Sequence, residues 1–249
     1  MNGACKKVVK TIFVWYNNLA MTVENYLDDI KGKYGEIFEN FKDILLLYNN
    51  KFNLTAITDE KGIYIKHFLD SVVGESLIER GADVVEIGSG GGFPSVPLKI
   101  IRSDLSFTLI ESTGKKCTYL REVVDKLNLE CVKVINARAE DVAREVMHRE
   151  KYDICLARAV ARLNTLTEYC LPFVKVGGKF IAYKGDCEEE LEEALPAVTL
   201  LGGRVEDTVK YCLPDGEKRT LVVVRKIKNT PIKFPRGNGK ERKDPIKKL

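Results

Sequence analysis

The chain has 249 residues, with 40 Lys and Arg against 36 Asp and Glu, and this length holds one α/β domain plus a smaller appendage. Its seven cysteines form no C-x-x-C pair, which excludes a disulfide scaffold and points to reduced thiols in the cytoplasm. Only His67 and His148 could add imidazole ligands, and neither lies at metal-ligand spacing from a cysteine, so no metal site is expected.

Lys6, Lys7 and Lys10 precede the apolar run from Thr11 to Tyr16, which two asparagines end after six residues. That is far short of the roughly 18 apolar residues of a membrane span, and no membrane association is expected. Residues 1–20 fit no element. The helical pattern begins just after Met21, so residues 1–20 are read as an upstream-start extension. From Val23 to Tyr48 apolar residues recur at 27, 30, 34, 37, 38, 41, 44, 45 and 48, the spacing of an amphipathic helix. Gly32 and Gly35 are expected to break it in two. After the loop Asn53–Thr58, a helix is predicted over 60–79.

Strands and helices then alternate. The pattern predicts strand 83–87, helix 95–102, strand 107–111, helix 115–127, strand 131–135, helix 139–149, strand 153–157, helix 162–173 and strand 178–183. An acidic helix over 187–195, stopped near Pro196, follows. Such alternation means parallel strands joined by right-handed helical crossovers. The finish differs: Arg204 to Leu213, a turn at Pro214-Asp215-Gly216, and Thr220 to Val224 read as a β-hairpin. Three regions result: a helical N-terminal region at 1–80, an α/β domain at 81–228, and a basic, flexible tail at 229–249. Residues 225–249 carry ten Lys and Arg against Glu241 and Asp244, so the formal charge of +4 divides into +8 there and −4 on the body. This balance points to a polyanion such as nucleic acid, or else to a solvated tail.

The richest segment is Val84-Val85-Glu86-Ile87-Gly88-Ser89-Gly90-Gly91-Gly92-Phe93-Pro94, followed by a strand ending on Glu111. Glycines let a turn after a strand take positive φ and approach a ligand. Glu111, 21 residues beyond Gly90, stands where a carboxylate meets a ribose hydroxyl pair. Dinucleotide binding would place a third glycine at 93, which is Phe93. The G-x-G-G-G loop behind Glu86 is instead the form found in class I methyltransferases, whose cofactor, S-adenosylmethionine, brings an ammonium and a sulfonium that a carboxylate attracts. Five βα units closed by an antiparallel hairpin match that Rossmann-like, mostly parallel seven-stranded sheet with an antiparallel last strand.

Four segments should meet at the carboxyl ends of the strands: the glycine loop, Glu111, Arg138-Ala139-Glu140, and Arg158-Ala159. Groups around Ala139 could read the adenine edge with Glu140 accepting from its amino group; the competing reading of Glu140 is a carboxylate favoured at a helix N-terminus. Arg158 fits a phosphate or a guanine O6, or else an ion pair with Glu86 or Asp153. No N-P-P-Y or D-P-P-Y box follows the fourth strand, and Cys155 lacks the proline of a pyrimidine-methylating cysteine. An acceptor with an in-plane lone pair, such as guanine N7, needs no general base, so no catalytic acid or base is expected.

Asn53-Leu54-Thr55-Ala56-Ile57, Lys66-His67-Phe68-Leu69-Asp70-Ser71, the glycine loop, Arg138-Ala139-Glu140, Arg158-Ala159-Val160-Ala161 and Tyr183-Lys184-Gly185 together resemble one family. It is the bacterial 16S ribosomal RNA guanine-N7 methyltransferase of the small subunit, also called glucose-inhibited division protein B. The match spans about residues 22–249, although members usually carry Asp where Glu86 and Glu111 stand. The resemblance implies S-adenosylmethionine bound through Gly88, Phe93, Ala139, Glu140 and Arg158, to which the loop pattern and the ribose spacing add Gly90, Gly92 and Glu111, with 16S RNA or the small subunit as partner. The basic tail and Lys184 are expected to hold RNA phosphates, and His67 and Asp70 to pair structurally. A monomer is expected. A methyltransferase of the same fold on another acceptor, and a non-catalytic RNA-binding assembly protein, remain as alternatives.

Overall fold

The computed structural model describes residues 14–16, 19–21 and 23–247. The expectations for residues 1–13 therefore lie outside the described residues. Residues 1–20 were expected to fit no element, but β1 (Val14–Tyr16) and β2 (Leu19–Met21) pair as a short antiparallel ribbon. Helix α1 (Val23–Phe52) follows as one helix with a kink at Tyr34 (φ −127°, ψ 15°), between the two glycines expected to break it. Its inward stripe buries Ile30, Phe38, Phe41 and Leu45, as the three-and-four spacing requires.

The stretch expected as one helix over 60–79 has a different winding. It runs through α2 (Glu60–Gly62), a π-helix (Ile63–Leu69), α3 (Asp70–Val72) and a 3₁₀ turn (Glu75–Leu77). Asp59 caps the start by accepting from Gly62 N–H at 2.7 Å. Six of the seven π-helical residues are buried. The apolar ones among them join the core cluster that also holds Phe38, Phe41 and Leu45 of α1 and Val84 and Leu156 of the sheet.

The sheet orders β5 (Val132–Asn136), β4 (Ser106–Glu111), β3 (Asp83–Ile87), β6 (Tyr152–Arg158), β7 (Val174–Lys184), β9 (Lys218–Lys226) and β8 (Gly203–Cys212). The first five are parallel. The last strand, β9, enters antiparallel between β7 and β8, as the closing hairpin implied. Chain order reverses between β3 and β6, and this switch point opens a crevice at the strands' carboxyl ends.

The connecting helices are α4 (Ser95–Ile101), α5 (Gly114–Lys126), α6 (Ala139–Val142), α7 (Leu163–Cys170), α8 (Glu188–Leu200) and α9 (Lys240–Lys243). Two depart from expectation. The helix expected over 139–149 stops after four residues, and the turns beyond it carry Arg144 and Arg149, which bond to carbonyls of the C-terminal segment. The acidic helix does not stop at Pro196 but continues to Leu200, because Ala194, Ala197 and Val198 beyond and before the proline are buried against the sheet. That burial outweighs the one backbone hydrogen bond proline removes.

Alternation along the strands assigns two cores. Val84, Leu109, Leu156 and Ile181 face α1, α4 and α5, whereas Val85, Ile110, Cys155 and Phe180 face α7 and α8. Glu86, Glu111 and Arg158 share parity with the first set, so all three point toward the N-terminal helices. The C-terminal segment corrects the expectation of a flexible tail. Phe234 and Ile246 are buried in the second core, and Glu241 is fully buried. No helix among the described residues is long and apolar enough to cross a membrane.

Candidate active site

The glycine loop turns directly off β3. Gly88, Gly90 and Gly92 all take positive φ (70°, 52° and 84°), a region costly for other residues. Gly88 also has no room for a side chain, since a Cβ there would stand 2.7 Å from a Val160 methyl. Over Gly90 the space is open, the nearest atom to such a Cβ being the Gly88 carbonyl at 3.7 Å. A ligand can therefore approach the backbone at Gly90.

Glu111 braces this loop. Its carboxylate accepts from Gly90 N–H at 3.0 Å and from Thr113 N–H at 2.8 Å, so the spacing of 21 residues closes a direct contact. Each oxygen keeps a second lone pair for a hydroxyl. Ala137 N–H donates to the Glu111 carbonyl at 3.2 Å, which brings the β5 end alongside. Ala139 and Glu140 open α6 there, both partly exposed.

Glu86 is wholly buried, and neither carboxyl oxygen has a hydrogen-bond partner among the described residues. The Ser95 hydroxyl is likewise buried without a partner among the described residues, and the Ser89 hydroxyl donates to the Glu86 backbone carbonyl at 3.5 Å. Burial pushes the Glu86 pKa up to about 8, against which Ser95 and the positive charge of Arg158 act only partly. A carboxyl in that position, next to a glycine loop with open space above Gly90, fits a ligand that carries an ammonium and a sulfonium. This orphaned acid is the observation that S-adenosylmethionine suits.

Arg158, at the end of β6, forms an ion pair, but with neither of the expected partners. Its Nη1 donates to Asp70 Oδ2 at 2.9 Å and to the Lys66 carbonyl at 3.0 Å, and its Nη2 donates to His67 Nδ1 at 3.1 Å. Asp153 starts the same strand, several residues of extended chain away, and pairs with Lys175 instead. Asp70 also accepts from Tyr211 Oη at 2.7 Å and faces Arg219 Nε at 3.4 Å. One carboxylate thus ties α3, β6, β8 and β9 together.

The expected structural role of His67 has a definite form. Burial, then the neighbouring Arg158 charge, lower its pKa to about 3, so the ring is neutral. Because Nδ1 accepts from Arg158, the proton is on Nε2, which donates to Thr55 Oγ1 at 2.8 Å. Thr55 in turn accepts from Ile57 N–H, and its own N–H donates to Asn49 Oδ1 at 2.9 Å. The ring stacks on Phe93 with centroids 4.3 Å apart, and Arg158 lies 5.0 Å over the same Phe93 ring. Phe93 is thereby a packing residue between loop and helices.

A cleft of about 350 Å³ opens beside this cluster, lined among others by Ile57, Lys66, Arg158, Ala159, Lys184 and Arg219. Lys184, expected on RNA phosphate, instead donates to the Ala161 carbonyl at 2.9 Å and pairs with Glu190 at 2.7 Å. Lys66 pairs with Asp215 at 3.1 Å and with Glu217. The sequence reading missed Thr55 as a link in the chain, and Tyr211 and Arg219 altogether. Thr55 had a signal in the N-L-T-A-I motif; the hairpin residues had none.

The sheet order is that of the class I methyltransferase fold. The chain belongs to the family of rRNA small subunit methyltransferase G, whose sequence profile matches residues 35–222. Among relatives named ribosomal RNA small subunit methyltransferase G, the Acetivibrio thermocellus protein is 44% identical over 211 residues, covering 84% of this chain and 87% of its own length. That of Lactobacillus delbrueckii subsp. bulgaricus is 43% identical over 233 residues, covering 91% and 98%. The solved structure of a SAM dependent methyltransferase from Aquifex aeolicus superposes with a TM-score of 0.52 at 17% identity, over 69% of this chain and 96% of that one.

Proposed function

We propose that this protein transfers the methyl group of S-adenosylmethionine to N7 of a specific guanine in 16S ribosomal RNA. The observation that carries the reading is the pairing of an open glycine loop, braced by Glu111, with a cleft whose imidazole and buried carboxylate are already engaged. The family membership gives the substrate class.

The cofactor supplies an electrophilic methyl on a sulfonium. Gly88, Gly90, Gly92 and Phe93 shape the loop that receives it. Glu111 would hold the ribose, Ala139 and Glu140 the adenine edge, and Glu86 the positive end. Asp70 neutralises Arg158, which removes the objection to a bare cation next to a sulfonium. Asp70, Lys66 and His67 take both Nη1 hydrogens and one on Nη2, and the Nε–H and the second Nη2–H are left to donate to guanine O6 or to a phosphate. A guanine N7 would use its own lone pair on the methyl carbon as the carbon–sulfur bond breaks and S-adenosylhomocysteine leaves, so no residue need remove a proton, and positioning lowers the barrier. Exposed Lys115, Arg138, Lys240 and Lys243 around the carboxyl ends of the strands are suited to RNA phosphates. In this reading residues 23–80 form the N-terminal helical part, 81–228 the methyltransferase domain, and the protein works as a cytoplasmic monomer without metal.

The test is transfer of labelled methyl from S-adenosylmethionine to small-subunit RNA that lacks the modification, followed by borohydride and aniline cleavage at 7-methylguanine. One cleavage site is expected. Absence of transfer to RNA and to whole subunits, with cofactor binding intact, would overturn the reading.

A further inference from the structure

The C-terminal segment is fastened to the body by buried charges. Lys226 Nζ, fully buried, reaches Glu150 at 3.1 Å and Thr230 Oγ1 at 2.6 Å, and the same Glu150 accepts from Thr230 N–H at 2.7 Å. Glu168, buried within α7, accepts from Arg236 N–H at 2.8 Å and from its guanidinium at 2.8 Å. Thr165 Oγ1 donates to the Glu241 carbonyl at 2.9 Å. Buried ionic groups of this kind hold a segment in one register, because slippage would leave a charge without its partner.

The far end of this strap reaches the glycine loop through a single turn. Residues 159–162 join β6 to α7, and Ala159 there takes a left-handed φ of 56°, a strained conformation for a residue with a Cβ that persists only where surroundings enforce it. Two cations enforce it: Lys184 donates to the Ala161 carbonyl at 2.9 Å, and Arg242 donates to the Val160 carbonyl at 3.2 Å. Val160 itself lies on Gly88, with a methyl 2.7 Å from where a Cβ would stand. The path from strap to loop is therefore Arg242, Val160, Gly88.

We propose that the C-terminal segment is a clamp for the cofactor site, in which Arg242 is a positioning residue that holds Val160 against Gly88. The inference rests on the reading of residues 88–92 as the S-adenosylmethionine loop. It assigns part of the basic segment to cofactor binding, where the charge count alone left it between a polyanion-binding arm and a solvated tail. Lys240 and Lys243 on the same short helix stay exposed for phosphate.

The experiment is calorimetric titration of the full-length protein with S-adenosylmethionine, without RNA, for wild type, Arg242→Ala and Arg242→Lys. Deleting the whole segment would strip Phe234 and Ile246 from the core, so the point variants carry the test. Arg242→Ala should raise the Kd by about fivefold, the worth of one exposed hydrogen bond from a charged donor. Arg242→Lys should recover affinity, and steady-state assays should show a raised KM for S-adenosylmethionine with kcat held. Unchanged cofactor affinity in Arg242→Ala overturns the proposal. A wild type that fails to bind S-adenosylmethionine overturns instead the reading of the glycine loop.

Discussion

Asp70→Asn is the most informative single change, because one buried carboxylate faces two guanidinium groups. Asp70 is 3% exposed and accepts from Arg158 at 2.9 Å and Tyr211 at 2.7 Å, with Arg219 at 3.4 Å. Asparagine keeps the shape, removes the charge, and turns an amide N–H₂ toward groups that are themselves donors. Breaking a buried pair by removing one partner costs about 3–5 kcal/mol, since the remaining ion stays desolvated. The side chains of Arg158 and Arg219 are 13% and 20% exposed, so water relieves part of this, and about 3 kcal/mol is expected. For a chain of this size each kcal/mol lowers Tm by roughly 2–4 °C, which puts the variant roughly 6–12 °C below wild type. Cofactor affinity should fall as well, by about tenfold, because Arg158 then presents an uncompensated charge to a sulfonium. Urea unfolding followed by circular dichroism gives the first quantity and calorimetry the second. A loss below about 1 kcal/mol together with unchanged affinity would mean that Asp70 does not hold Arg158, and the account of the cleft would fall.

Glu111→Ala strands the Gly90 and Thr113 amides and should weaken S-adenosylmethionine binding by about 1.5–3 kcal/mol; equal affinities by calorimetry would refute the bracing role. Glu86 has a folded pKa of about 8 against an ordinary 4.5. Its carboxyl is protonated in both states below pH 4.5, and as pH rises from there to about 8 only the unfolded chain ionises, which lowers wild-type stability by up to about 1.4 kcal/mol per unit. Glu86→Gln removes that slope, so urea midpoints of variant and wild type should diverge in the variant's favour between pH 5.5 and pH 8, and a gap independent of pH would count against the assignment. Lys240→Ala and Lys243→Ala should each flatten the log–log salt dependence of RNA binding by about 0.7–0.9, and an unaltered slope would remove them from the RNA surface.

The alternation of apolar runs and helical patterns located the strands of the sheet to within a few residues, because each strand is decided by its own buried face. The glycine loop and Glu111 were equally legible, since their chemistry depends on a short spacing along the chain. Partners were not. Arg158 meets Asp70 across 88 residues, and Tyr211 meets Asp70 across 141; a strand pattern tells which face Arg158 occupies but not what faces it. The tail was misread for a related reason. Lys226 and Arg236 count as solvated cations until Glu150 and Glu168 are brought to them, and the signal lay in Glu168 itself, a carboxylate in a helix whose eight residues are all buried. The π-wound segment was hidden because its apolar residues satisfy a helical period locally, and the pattern does not distinguish an α-turn from the wider one.

Polar groups around the cleft differ in how far they are already satisfied, and the difference follows from the chemistry proposed. A lone-pair acceptor needs no proton removed, so an imidazole with a free nitrogen would add nothing and would invite charge near a sulfonium. His67 has both nitrogens engaged and stays neutral. Arg158 is needed as a donor, and Asp70 cancels its field while leaving its geometry fixed. Glu86 is the exception, buried with both oxygens unpartnered among the described residues. An orphaned acid in a folded core is destabilising by itself, and a cation brought to it from the ligand reverses the sign of that contribution. Binding S-adenosylmethionine should therefore ionise Glu86 and release a proton. Calorimetry at pH 7 in buffers of different ionisation enthalpy reads that proton directly. A binding enthalpy independent of buffer would move Glu86 from the cofactor's positive end to a purely structural place in the core.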